Sequence, residues 1–316
     1  MSFPLIKWWN HAAEACPEFD NLTLASLTLI GVRYTLALAI LLAIWPRVWH
    51  SAGRAARRAA LTLAAVYCAG AGLQVIGLQW TTPATSAFLT SLGGAWVPLL
   101  AWCWRRTPIG LPTWLGLILG LAGVFVLSQP GDGASWALGK GEVLTLAASV
   151  LFSVQILLLD HYGRATFQTT AATTGATVGV PPALLTLCLV AVNGPPMLVA
   201  ATLWSASSSG VAAWLRWSSA MLSDPTSSVV VLTLTVFCTI LAFHWMNKYQ
   251  PQVPANRAAL IYFLEPVFGA AFSLLLGYDQ WSYSLLLGGA LIIAGNLLAE
   301  PSLWRTAGVR QTGASR

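Results

Sequence analysis

Charge is what this sequence has least of. Asp, Glu, Lys and Arg make up 8% of its 316 residues, against about a quarter in soluble domains. A water-soluble globule is thereby excluded, because too few ions remain to hydrate its surface. The five cysteines, Cys16, Cys68, Cys103, Cys188 and Cys238, are odd in number and never spaced as Cys-x-x-Cys. Most lie in apolar runs, where a thiol serves as small filler, so neither a disulfide framework nor a metal site is expected. No HExxH, GxSxG or spaced aspartate pair occurs, which removes the usual signatures of an intramembrane enzyme. The stretch GDGASWALGKG comes nearest to a phosphate loop, yet its glycines are wrongly spaced and Gly141 stands where Ser or Thr is needed. No enzyme activity and no cofactor are therefore expected. A cleavable signal peptide is not expected either, since Lys7 follows only a few apolar residues.

What fills the sequence instead is apolar surface, 57% of all residues. A helical residue advances about 1.5 Å, so about 20 apolar residues cross the hydrocarbon core. Nine segments qualify: Leu24 to Trp45, Ala59 to Leu78, Ala84 to Trp104, Leu111 to Ser128, Gly141 to Leu159, Ala171 to Val192, Val229 to Trp245, Ala258 to Gly277 and Trp281 to Ala299. The opening MSFPLIKWW reads as the tail of a tenth span whose beginning lies upstream, with Met1 internal. Met197 to Leu215 is read as interfacial, because its serine cluster suits lipid poorly and Trp204, Trp214 and Trp217 favour the headgroup level. The expected fold is all-α and integral to a membrane, with a lipid bilayer as its surroundings.

The net charge of +6 needs no nucleic acid, since no basic stripe interleaved with aromatics is present. It reflects orientation. If the loop after the Leu24 span faces the cytoplasm, twelve Lys and Arg residues fall inside, among them Arg47, Arg105, Arg164, Lys248 and Arg305, and three fall outside. By the positive-inside bias this places a multi-pass chain in the cell (inner) membrane with a cytoplasmic C-terminus.

Two stretches repeat. LTLAAVYCAGAGLQVIGLQWTTPATSAFL, from Leu61, parallels LTLTVFCTILAFHWMNKYQPQVPANRAAL, from Leu232; Gln79, Pro83 and Ala84 match Gln250, Pro254 and Ala255 at a shift of 171. LGLILGLAG from Leu115 parallels LGGALIIAG from Leu287 at a shift of 172. Five spans per half is an odd number, so the halves should insert in opposite senses. The domain reading is a first repeat over 1–130, a second over 141–300 with an interfacial insertion at 194–226, and a tail over 301–316. Pro98 and Pro266 fall within the spans that follow each Pro-Ala turn and are helix-break candidates, although their separation of 168 departs from the shift.

Ionisable groups inside spans cost roughly 2.5 to 3.5 kcal/mol at the centre, so each needs a reason. Arg33 and Glu265 lie near midspan. Glu265 could take a proton or a cationic substrate group and Arg33 an anionic one, or each could be a structural clasp bonded to neighbouring helices. Gln74, Gln79, Gln155, His244 and Asn247 are further pathway candidates, although uncharged polar groups also simply tie helices together.

Several motifs resemble the EamA-like members of the drug/metabolite transporter superfamily. They are GLQWTTPATSAFLTSLGGAWVPLLAW, ANRAALIYFLEPVFGAAFSLLLGYDQWSYSLLLGGALIIAG, GEVLTLAASVLFSVQILLLDHY and the arginine of TLIGVRYTLALAI. The resemblance covers nearly the whole chain. It implies ten spans in two inverted repeats and a transporter of a small metabolite or drug-like solute; the repeats favour alternating access, coupled to a proton or an exchanged solute, or uncoupled. An intramembrane enzyme, or a non-transporting scaffold or sensor, is the alternative class, and a homodimer is left open. The sequence departs from the family at Arg105 and Arg106, where an acidic residue is common, and at Asp279, which follows Leu-Leu-Gly-Tyr.

The orientation is directly checkable. In a chain whose native cysteines are replaced by serine, single cysteines at Arg47 and Lys248 should react with an impermeant thiol reagent from the same face of sealed vesicles. Labelling from opposite faces would break the span map.

Overall fold

Hydrocarbon offers no hydrogen bonds, so a chain this apolar must satisfy its backbone within each segment, and the helix does so. The computed structural model describes Leu5, Trp9 and residues 22–77, 80–81, 83–106, 110–127, 139–172, 180–208, 210–275 and 282–299. Among these residues all regular structure is helical. In order the helices are α1 (Leu22–Ile44), α2 (Arg54–Gly77), α3 (Pro83–Ser91), α4 (Gly93–Arg105), α5 (Leu111–Leu127), α6 (Lys140–Ala172), α7 (Pro182–Ser207), α8 (Val211–Ser223) and α9 (Pro225–Thr233). A π-helix, Leu234–Leu241, then leads into α10 (Ala242–Tyr249), followed by α11 (Ala255–Tyr262), α12 (Leu264–Leu275) and α13 (Tyr283–Leu298). A single turn, Val48–Ser51, sits between α1 and α2.

Five stretches are long and apolar enough to cross a membrane: Thr23–Ile44, Arg54–Gly77, Lys140–Gly163, Pro182–Ser207 and Pro225–Gln252. Phe88–Trp104, Leu111–Val126 and Tyr283–Leu298 are shorter apolar helices. The span expected at Ala171 to Val192 is corrected: Ala171 still belongs to α6, and the next helix is Pro182–Ser207. Met197, expected in an interfacial segment, therefore lies inside α7, which carries Pro195 and Pro196 without ending. Only α8 remains as a separate short helix there. It packs inward through Trp214, Trp217 and Met221 while Leu215 and Arg216 stay exposed. Trp214 Nε1 donates to Thr28 Oγ1 on α1 at 2.8 Å, and the Trp217 ring meets Trp9 edge-on at 5.9 Å. Asp224 caps α9 by accepting from Ser227 N at 2.8 Å and Ser227 Oγ at 2.9 Å, bonds that hold its carboxyl below the usual range.

Between apolar helices in lipid no hydrophobic force favours contact, so close approach depends on small residues. The most extensive pairings are α5 with α13, α1 with α7 and α2 with α6. In the first, Gly116 meets the backbone of Gly295, and a methyl group on Gly123 would stand 2.6 Å from Gly288 O. In the second, a methyl group on Gly31 would stand 2.9 Å from Leu198 N, and one on Gly194 would stand 2.6 Å from Thr35 N. Both pairs run antiparallel, with the lower-numbered partner of one helix against the higher-numbered partner of the other.

Helical winding is interrupted at Leu92, between α3 and α4, and at Phe263, between α11 and α12. These interruptions lie 171 residues apart, the shift of the repeated stretches. Pro98 sits six residues beyond the first, inside α4; Pro266 is the third residue of α12, where a missing N–H leaves no bond unmade. The Phe263 ring fills the hollow left by Gly94 and Gly120, so the second break is packed against the first.

Overpacking a close-packed interface typically costs 1 to 3 kcal/mol. Gly194→Ala should lower the thermal unfolding midpoint in detergent by an amount within roughly that range, whereas Gly72→Ala, whose new methyl would meet only the end of Met197 at 3.9 Å, should leave it unchanged.

Candidate functional site

The charged residue of α1 is Arg33, in an otherwise uncharged helix. Residues two apart on a helix point to nearly opposite sides. Gly31 and Thr35 face α7, so Arg33 is directed away from that contact. It is not in lipid, being 8% exposed. The neighbouring segment is the π-helix, whose Thr235 Oγ1 lies 3.4 Å from Arg33 O. A π-helix is rare and widens the backbone spiral, commonly near functional sites. Here threonine hydroxyls bond to carbonyls along the widened winding: Thr235 donates to Val231 O at 2.7 Å and Thr239 to Leu234 O at 3.1 Å.

The Arg33 guanidinium carbon lies 4.9 Å from the centre of the Tyr34 ring. Its Nε is buried without a hydrogen-bond partner among the described residues. A cation over an aromatic face gains about 0.5 to 2 kcal/mol, less than the roughly 2.5 to 3.5 kcal/mol of placing the charge at mid-membrane. Tyr34 alone does not stabilise this ion.

Around Tyr34 four helical segments bring their rings together. Tyr34 Oη lies 3.2 Å from Tyr67 Oη of α2. Phe243 of α10 is 6.0 Å from Tyr34 and 5.4 Å, edge-on, from Tyr67, and Phe152 of α6 is 5.5 Å from Tyr67. His244, beside Phe243, rests on Trp45 at 5.0 Å, and its Nδ1 is buried without a partner among the described residues. Arg33 and His244 thus flank one aromatic cluster. Gln155, 4% exposed, is one turn along α6 from Phe152.

Other candidates are placed in ties between helices. Gln74 Nε2 donates to Thr90 Oγ1 at 2.9 Å, joining α2 to α3 just before the Leu92 break. Next to it, Ser153 Oγ reaches Gly93 O at 2.9 Å and Ser149 O at 2.7 Å, sharing its single proton between them. Asn247 Nδ2 donates to Thr186 Oγ1 at 3.1 Å, linking α10 to α7. Gln250, the repeat mate of Gln79, donates to Ile156 O at 3.3 Å and accepts from Tyr262 Oη at 2.6 Å. Gln79 itself lies outside the described residues. Glu265 belongs to α12, a helix that packs on α11 and α13. Pro98 is buried in α4. No group of three His, Cys, Asp or Glu able to hold a metal occurs among the described residues.

Sequence reasoning missed Tyr34, Tyr67, Phe152 and Phe243. A signal was available for three of them: Tyr34 adjoins Arg33, Phe243 adjoins His244, and Phe152 precedes Gln155 by one helical turn. Tyr67 had no such neighbour, and the π-helix left no mark in LTVFCTIL.

These features define a multi-pass membrane protein with a buried, aromatic-lined polar centre. Residues 21–129 match the model of the EamA-like transporter family. Over these residues the chain is similar to EamA-like transporters. It is 23% identical over 217 residues to a protein of Archaeoglobus fulgidus described as an uncharacterized transporter, a match covering 65% of this chain and 56% of that relative. A solved crystal structure superposes over 96% of both chains with a TM-score of 0.64 at 17% identity, a likeness of fold alone.

Gln250→Leu removes two inter-helix hydrogen bonds and should destabilise the protein by about 1 to 2 kcal/mol at the several tenths to one each that such bonds contribute in membranes. Gln252→Leu is the comparison: that exposed side chain bonds only to Lys248 O of its own segment, and its loss should leave thermal unfolding in detergent unchanged.

Proposed function

We propose that the protein carries a small organic solute across the membrane by alternating access, with its substrate site at the aromatic cluster beside Arg33. The observation that carries this reading is the way the close contacts exchange between halves. Advancing Gly116 and Gly123 by 172 gives Gly288 and Gly295, so the Gly116–Gly295 contact becomes the Gly123–Gly288 contact. Advancing Gly31 and Thr35 by 163 gives Gly194 and Leu198, so the Gly31–Leu198 contact becomes the Gly194–Thr35 contact. In each pair the two contacts share one antiparallel register, and in the first the exchanged glycines also fall in the repeated LGLILGLAG and LGGALIIAG stretches, as inverted halves require. These exchanges support two inverted five-helix repeats. The shift grows from 163 to 171 between Leu198 and Leu232, in keeping with extra residues in the segment holding α8.

Arg33 is midway between Gly31 and Thr35, and Pro196 midway between Gly194 and Leu198. The axis therefore passes at their level, which is the mid-membrane depth where inverted-repeat transporters hold their substrates. Rocking one repeat against the other opens the cluster to either face in turn, and the repeat-related breaks at Leu92 and Phe263 provide places to bend. The excess of basic residues on one side orients the C-terminus to the cytoplasm. The driving force is a proton gradient or an exchanged solute.

Purified protein in liposomes, screened for uptake of amino acids, nucleosides, sugar phosphates and cationic drugs, tests the reading. Tyr67→Ala should reduce uptake about tenfold, equivalent to about 1.4 kcal/mol, while Leu203→Ala on the exposed face of α7 leaves it intact. Uptake unchanged by Tyr67→Ala would remove the cluster from the pathway. Glu265→Gln should impair uptake without loss of folded protein; unchanged uptake would assign Glu265 to structure. An imposed pH gradient compared with preloaded solute separates the two driving forces in the same vesicles.

A further inference from the structure

Arg33 combines three features that a packing residue does not need. On the repeat reading above it lies at the axis between the halves, it is 8% exposed, and its Nε is buried without a partner among the described residues. Among the described residues its surroundings supply no counter-charge. Of the carboxylates on the described helices, Glu265 belongs to α12, which packs on α11 and α13, and Glu142 stands at the start of α6 and accepts from Gly139 N at 2.9 Å. Asp160, two turns beyond Phe152 on α6, is engaged with partners of its own. Asp224 caps α9 outside the membrane-spanning stretch. Among the described residues, Arg33 forms no ion pair. A guanidinium presents five N–H donors in a planar fork and does not give up its proton in proteins, so it cannot escape burial by becoming neutral as a lysine can.

Seen from the cluster, Arg33 stands over Tyr34, and Tyr34 is the ring that joins Tyr67 and Phe243. One polar fork therefore adjoins a wall of aromatic faces and edges. On the neighbouring segment the π-helix brings Thr235, whose Oγ1 lies 3.4 Å from Arg33 O, to the Arg33 level.

We infer that Arg33 is the anion anchor of the substrate site and that the transported solutes carry a carboxylate or similar single anionic group joined to an apolar, ring-sized body. The fork receives the two oxygens of the anion in a bidentate manner, and Tyr34, Tyr67, Phe152 and Phe243 enclose the body. This rests on the cluster being the substrate site, and it adds the sign of the solute's charge.

The test uses the full chain in nanodiscs and three probes of equal size, benzoate, benzyl alcohol and benzylamine, titrated calorimetrically against empty-nanodisc blanks. Benzoate should bind at least about tenfold more tightly than benzyl alcohol, a ratio appropriate to one charge-assisted pair, and benzylamine should bind least. Arg33→Gln should bring benzoate down to the level of benzyl alcohol while benzyl alcohol binds as before. Arg33→Lys, which keeps the charge and loses the fork, should retain a reduced preference and serves if the glutamine variant does not fold. Equal binding of all three probes by the unaltered protein, abolished by Tyr67→Ala, would overturn the anion assignment and leave the site in place. Binding of none of them, or binding indifferent to Tyr67→Ala, would overturn both.

Discussion

In the hydrocarbon interior there is no water to complete an unfinished hydrogen bond or surround an ion, and every departure from a plain apolar helix must find its partner within the protein. The breaks at Leu92 and Phe263 persist on those terms. At the first, Gly93 O lies within reach of the Ser153 hydroxyl, and Gln74 ties the preceding turn through Thr90. At the second, the ring of Phe263 occupies the space opened by Gly94 and Gly120. The same constraint governs helix contacts. Without a hydrophobic force to hold them, α1 and α7, or α5 and α13, associate because glycines let their backbones meet closely enough for dispersion to act over a broad area.

That economy makes the exceptions informative. Thr186, Asn247 and Gln250 in the spans bond to a carbonyl or a neighbouring hydroxyl, and Asn193 Nδ2 to Leu189 O. Arg33 Nε and His244 Nδ1 are not accounted for in that way, and both flank the aromatic cluster.

Much of the fold was legible because its determinants are local. Span positions follow from runs of apolar residues, and α1, α2, α5 and α13 fall within a few residues of expectation. The failure at Ala171 to Val192 has a physical cause. A run such as ATTGATVGVPPALLTLC is apolar enough to satisfy a hydropathy threshold anywhere along it, and the true helix start is set by the Pro181–Pro182 pair, where proline suits a first turn. The serine cluster beyond Trp204 likewise suggested an interfacial segment where α7 continues to Ser207. The site was legible only for charge and amide residues, since an ion in a span announces its cost. Tyr67 and Phe152 look like lipid-facing residues in one dimension. Their convergence depends on the crossing of α2, α6 and α10, which no single segment encodes, and the π-helix likewise follows from tertiary placement.

The repeat itself sharpens what the polar residues are for. At a shift of 171, His244 corresponds to Leu73, Asn247 to Ile76 and Glu265 to Gly94; at the shift of 163, Arg33 corresponds to Pro196. Glycines at close helix contacts match across the repeated stretches, Gly116 with Gly288 and Gly123 with Gly295. The positions that carry chemistry do not. Two conformations of near-equal energy require a frame whose halves can exchange roles, and recurring contacts provide it. Recognition of an asymmetric solute requires the opposite, a centre at which the halves differ. If the protein is the carrier proposed above, a symmetric frame around an asymmetric centre meets both demands: Arg33 would sit near the axis in one half, and Pro196 fills the matching level of α7.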